Sequence, residues 1–199
     1  MNRLALEWWL HDNRRLTMAA LTVCAAVVSV ATRPGLREGT WSHAVVDVVG
    51  WVIVGAGLAL RLWATAFIGG RKNRQLVTTG PYGIVRHPLY LGSALALLGI
   101  LLIAQRLWAL VPAAVVFGLY GLAAAMEDRR LSKQFPRQSE EFQRRTRAVW
   151  PQLGRLAAAL RDRPGPVSRR LMLRELGCSV GFALVAMLAE ISEAPWWCS

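Results

Sequence analysis

One short run holds most of the side chains in this chain that could do chemistry. It reads Thr79-Gly80-Pro81-Tyr82-Gly83-Ile84-Val85-Arg86-His87-Pro88-Leu89-Tyr90-Leu91-Gly92. Two glycines around a proline turn the backbone sharply and let it come close to a ligand. His87 and Tyr90 are three residues apart, so in a helix they share a face. Pro88 suits the first position of that helix, where its missing amide would be unpaired anyway. Ionisable groups at the point where a loop enters an apolar helix are costly, and by default they mark binding or catalysis. The plain alternative is an interfacial anchor, with Arg86 snorkelling, Tyr90 in an aromatic belt and His87 solvated. An acidic pair, Glu127-Asp128, closes a later apolar run, and Arg145 follows it. No cysteine or histidine pair points to a covalent intermediate. Cys24, Cys178 and Cys198 have no zinc-like spacing, and their odd number argues against a closed disulfide framework. No metal site is expected.

The elements that must position these residues are apolar and long. Of 199 residues, 54% are hydrophobic, and they are clustered. A bilayer core takes about 20 apolar residues in a helix. Five segments qualify: 16–31, 41–68, 89–104, 107–126 and 176–191. The expected fold is therefore all-α, a multi-pass transmembrane bundle of about five spans with amphipathic helices at its cytoplasmic side. The third and fourth spans are separated by Gln105 and Arg106 alone, which predicts a tight antiparallel hairpin. Gly92, Ala96 and Gly99 form a small-residue stripe along which another helix can approach.

The net charge of +12 lies between the apolar runs, so loops held against anionic headgroups explain it better than nucleic acid does. Arg3, Arg14, Arg15, Arg71, Lys72, Arg74, Arg86 and the basic run from 129 to 174 fall on one side of the spans, roughly 20 of 24 basic residues. Only Arg33, Arg37 and Arg106 fall on the other. The N-terminus is expected inside and the C-terminus outside, with Trp41, Trp196 and Trp197 in the outer aromatic belt. Ser29-Val30-Ala31 also offers a cleavage-like site, but the preceding apolar run is long for a signal peptide. Arg61 lies inside the second span, about 8 residues or roughly 12 Å from its inner end. That is a long reach for snorkelling, so a buried partner is expected. Asp47, farther along the same helix, is too distant to be that partner.

After the fourth span, 127–149 reads as an amphipathic helix with Leu131, Phe135 and Phe142 on one stripe. Arg145, three residues after Phe142, is expected to point the same way. Pro151 ends that helix. Leu153, Leu156, Ala157 and Leu160 make a second stripe among arginines, as in a helix lying on a membrane. Residues 163–166 break the chain, and Ser168 can cap the helix leading into the last span. The chain divides into N-terminal spans (1–56), a core (57–151) and a surface helix, linker and last span (152–199), all within one membrane domain.

The pattern Gly-Pro-Tyr, three residues, then Arg-His-Pro-x-Tyr-x-Gly resembles the signature of the isoprenylcysteine carboxyl methyltransferase and phospholipid methyltransferase superfamily. Glu127-Asp128-x-x-Leu131, then Phe135, Phe142 and Arg145, is similar to that family's second block. Leu60-Arg61-Leu62-Trp63-Ala64 resembles a third, and together the blocks cover about half the chain. The departures are Asp128 where the family usually has glutamate, Pro136 where it has glycine, and Ser139 and Phe142 where it has tyrosines.

The resemblance implies an enzyme that uses S-adenosylmethionine at the cytoplasmic face of a membrane, here the inner membrane of a bacterium. Carried over by position, Gly80, Pro81, Tyr82, Arg86, His87, Tyr90, Gly92, Glu127 and Asp128 would hold the cofactor. Glu127 would accept from its amino group or balance its sulfonium, and Arg145 would recognise an anionic group of the acceptor. These two, Arg145 and Glu127, are the candidate catalytic residues. The acceptor would be lipid-associated or a small apolar molecule: a carboxylate, an amine or a thiol. Methyl transfer from a sulfonium to an anion destroys charge, so a dry site suits it, and its main demand is in-line positioning. A carboxylate needs no general base, whereas an amine or thiol must first lose a proton. The partners expected are the bilayer and the acceptor, with no nucleic acid. A multi-pass scaffold that kept the fold and lost catalysis is the other reading.

Overall fold

Residues 41–69, 75–105 and 110–191 are described by a computed structural model of the chain. Helix α1 is Trp41–Ile68, and the single turn α2 is Pro81–Ile84. Helix α3 is Pro88–Ala104, α4 is Leu110–Gln134 and α5 is Pro136–Arg145. A 3-10 turn at Leu153–Arg155 leads into α6, Leu156–Arg161, and α7 is Arg169–Ile191. Among the described residues every regular element is helical.

Two helices, α1 and α7, are long and apolar enough to cross a membrane. They fall on the second and fifth expected spans. Helix α3, an apolar helix of 17 residues, falls on the third, and α4 begins on the fourth and runs on into charged residues. The expected first span, the loops bearing Arg33, Arg37, Arg71, Lys72, Arg74 and Arg106, the tryptophans at 196 and 197, and Cys24 and Cys198 lie outside the described residues. Helical segments of this length and composition make the chain a membrane-type helical protein.

The heart of the bundle is the antiparallel crossing of α1 and α3. Small residues make it: a Cβ added to Gly57 would lie 2.6 Å from the carbonyl oxygen of Gly92, and one added to Gly92 would lie 2.7 Å from that of Gly57. Gly99 faces Gly50 in the same way, so the stripe read in the sequence is the seam where two backbones touch. Gly57→Val should therefore force the helices apart and cost about 1–3 kcal/mol. Gly55→Val, whose added carbon meets nothing within 4 Å, should change little. Thermal unfolding of the two variants in detergent checks this, and equal melting temperatures would count against the seam.

Helix α7 packs against both helices, and Val54, Ile100, Ile103, Ala186 and Ala189 form their shared core. Ser168 caps it as expected, with its hydroxyl accepting from the Leu171 amide. Helices α3 and α4 pack against each other, Leu101 clustering with Ala113 and Tyr90 meeting Tyr120, while the expected tight joint at Arg106 lies outside the described residues. Gln105 caps the end of α3 in the left-handed conformation, φ 47°. Its side chain donates to Asp47, which also pairs with His43 at 2.8 Å.

The expected single helix over 127–149 is corrected. Helix α4 stops at Gln134, and α5 restarts at Pro136 with Phe135 as a non-helical joint, φ −133° and ψ 68°. Proline has no amide to donate and its ring pushes the preceding residue out of helical geometry. The joint folds α5 back on the end of α4, and Ser139 and Gln143 hydrogen-bond Ser132 across the fold. The stripe at 153–160 is present but inverted relative to a soluble helix. Ala159 turns inward, while Leu153, Leu156 and Leu160 face out.

Candidate active site

α1 ends, α3 and α7 begin, and α4 turns back at one end of the bundle, and the motif residues gather there. Gly80 starts the turn with φ 60° and ψ −133°, a conformation favouring glycine. Its environment also excludes a side chain, since a Cβ there would run into the Phe67 ring. Pro81 opens α2, and the Gly83 amide donates back to the Gly80 carbonyl. The turn rests on an apolar cluster of Ala64, Phe67, Tyr82 and Phe142. Phe142, which departs from the family's tyrosine, thus packs beneath the turn as core.

Asp128 joins the two blocks. Its carboxylate accepts from Arg86 Nη1 at 2.7 Å and lies 2.9 Å from His87 Nε2. An ionised carboxylate can only accept, so the Nε2–H of His87 is the donor of this pair. His87 is buried, and its ring lies 5.8 Å from that of Tyr90, which in turn stacks at 6.2 Å on Tyr120. These contacts replace the interfacial-anchor alternative, in which His87 would be solvated. Arg86 is fixed further by its own amide, which donates to the Arg147 carbonyl.

Two donors in this region are buried and unpartnered, the Tyr82 hydroxyl and Arg86 Nε. Burial pushes the Tyr82 phenol far above its ordinary range, and the negative charges of Glu127 and Glu175 add to the shift. The hydroxyl is therefore a proton donor at any physiological pH.

Arg145 lies elsewhere. Its side chain is 69% exposed and pairs with Glu141 one turn back, as Arg144 does with Glu140. The expectation that it shares the buried face of Phe142 is corrected. Arg145 is the last residue of α5, where the side chain is free to turn outward and reach back to Glu141. The phase count from Glu127 to Arg145 also fails, because the break at Phe135 resets it.

Arg61 has the buried partner that its depth demanded. Nε pairs with Glu175 of α7 at 2.6 Å, Nη1 donates to Ser93 Oγ, and the guanidinium sits 5.4 Å from the Phe182 ring centroid. Gly92 serves this pair, because a Cβ there would lie 2.7 Å from Arg61 Cγ. Glu175 and Asp162, whose carboxylate accepts from the Gly80 amide at 2.7 Å, were missed by reading the sequence. A carboxylate one residue before an apolar run was the available signal for Glu175. Asp162 had none. Among the described residues, no group of three His, Cys, Asp or Glu is placed to hold a metal ion.

A bundle of apolar helices with a glycine turn, and an Arg-His pair locked to a carboxylate of the next hairpin, defines a membrane-type helical protein with a polar site at one end. Residues 46–138 match the phospholipid methyltransferase family, part of the isoprenylcysteine carboxyl methyltransferase-like superfamily, so the resemblance read in the sequence is borne out there. The chain is 38% identical over 117 residues to the cobalt-zinc-cadmium resistance protein CzcN of Cupriavidus metallidurans, covering 58% of this chain and 54% of that one. It is 32% identical over 140 residues to the nickel-cobalt-cadmium resistance protein NccN of Alcaligenes xylosoxydans xylosoxydans, covering 70% of this chain and 65% of that one. The chain thus spans less than two thirds of the length of either relative. No solved structure matches it.

Proposed function

We propose that this protein transfers a methyl group from S-adenosylmethionine to a lipid-associated or small apolar acceptor at the cytoplasmic face of a bacterial inner membrane. The observation that carries the reading is Asp128 held by Arg86 and His87, because it brings the two family blocks into one site. The residues present fit the cofactor. The unpartnered Tyr82 hydroxyl and Arg86 Nε are donors suited to its carboxylate, and Glu127 supplies negative charge for its ammonium or sulfonium. The cofactor supplies an electrophilic methyl group. The protein's part is to orient it, with His87, Tyr90 and the turn as walls, and to keep water out by the apolar packing of Phe67 and Phe142.

The relatives are named for metal resistance, and the physiological setting proposed for the methyl transfer is therefore a metal-stress response. Ser139 and Phe142, both taken up by packing, also fit a second reading, a scaffold that keeps the fold without turnover. Calorimetry on the purified chain in lipid nanodiscs tests the first. S-adenosylmethionine should bind, and His87→Ala and Glu127→Ala should each weaken it about tenfold or more. Unchanged affinity in both variants would remove these residues from the site. Binding without transfer of labelled methyl to membrane lipids or small thiols would favour the scaffold.

A further inference from the structure

The family match ends at residue 138, yet the next stretch is fastened to the motif loop at three points. The Arg86 amide donates to the Arg147 carbonyl, the Gln152 amide donates to the Ile84 carbonyl, and the Gly80 amide donates to the Asp162 carboxylate. Residues 147–162 therefore strap the glycine turn from outside, and Ala159 of α6 is buried on that inner side.

The outer side of the same strap is of a different character. Trp150 is 73% exposed and Leu153 70%, and Val149 and Leu160 are also exposed. Between them stand Arg147, Arg155, Arg161 and Arg163, all exposed. From 144 to 163 there are six arginines and a single carboxylate, Asp162, which is turned to Gly80. The strap lies where α1 ends and α3 and α7 begin, which is the level of a headgroup layer if these helices span. A tryptophan and leucines interleaved with arginines at that level match an anionic leaflet, with apolar groups entering the acyl boundary and guanidinium groups meeting phosphates.

We infer that residues 147–163 form a two-sided strap, whose outer face docks on anionic phospholipid and whose inner face clamps the Gly80 turn, so that the lipid surface holds the turn in shape. Docking stands whether or not the turn holds a cofactor, and so does its test.

The full chain is placed in nanodiscs of phosphatidylcholine alone or mixed with phosphatidylglycerol. Leu153→Cys, in a chain with Cys24, Cys178 and Cys198 changed to serine, carries an environment-sensitive fluorophore. Hydrogen exchange is followed at the Gly80 amide. With phosphatidylglycerol the fluorophore emission should shift to the blue, and Gly80 exchange should slow by about tenfold, the scale of one charge-assisted hydrogen bond. Changing Arg155, Arg161 and Arg163 to glutamine should abolish both responses, each substitution weakening docking roughly fivefold. Asp162→Asn should leave the emission shift and make Gly80 exchange fast in both bilayers. Emission indifferent to phosphatidylglycerol overturns the docking. Gly80 exchange equal in the two bilayers, or slow exchange surviving in Asp162→Asn, overturns the clamp.

Discussion

Asp128→Ala should lower the affinity for S-adenosylmethionine on the order of a hundredfold, the largest effect expected of any single change in the site. The carboxylate answers two donors at once, Arg86 at 2.7 Å and His87 at 2.9 Å. Removing it leaves a guanidinium and a buried imidazole N–H without their anion, and α4 loses its hold on the start of α3. Each charge-assisted hydrogen bond contributes about 1.5–3 kcal/mol, and losing both exceeds the effect of removing either donor alone. Asp128→Glu, which restores the residue more usual in the family, should keep most of the affinity. Titration calorimetry of the two variants in nanodiscs reads the difference. Wild-type affinity in Asp128→Ala would show that the two blocks act separately.

The second large effect concerns stability. Arg61 and Glu175 retain only 14% and 12% of their side-chain exposure, so solvent screens their pairing little. Breaking a buried pair by removing one partner costs about 3–5 kcal/mol, because the other charge stays buried and unmatched. Replacing both with apolar residues of similar volume is often neutral or better. Arg61→Met and Glu175→Leu should each lower the melting temperature by roughly 10 °C, taking about 2–4 °C per kcal/mol for a chain of this size. The double variant should recover most of the loss. A double variant that melts as low as the sum of the singles would mean that the two residues act independently.

The helices were legible because their signals are local. Apolar length marks α1, α3 and α7, Pro88 and Ser168 mark two helix starts, and Gly-Pro-Tyr-Gly marks the turn. Arg61 announced a buried partner by its depth alone, although not which residue that partner was. Glu175 lies 114 residues away, and no periodicity within one helix can find a partner on another. Reading 127–149 as one helix failed at Phe135-Pro136, where the proline outweighed the apolar stripe on either side. That joint also voided the phase count from Glu127 to Arg145, since helical phase does not carry across a break.

What the sequence by itself determined is a set of long apolar helices and the family that its motif resembles. Apolar run length, the side of the basic residues and the spacing of the Gly-Pro-Tyr and Arg-His-Pro groups are properties of the chain order. Tertiary structure alone decided which acid meets which base: Asp128 with Arg86 and His87, Glu175 with Arg61, and Asp162 with the Gly80 amide. The physical reason is range. Helix formation and turn chemistry act over a few residues. A buried charge must find its counterion through space, and the partner is set by how closely Gly57 and Gly92 let two helices approach and by where a proline folds α5 back.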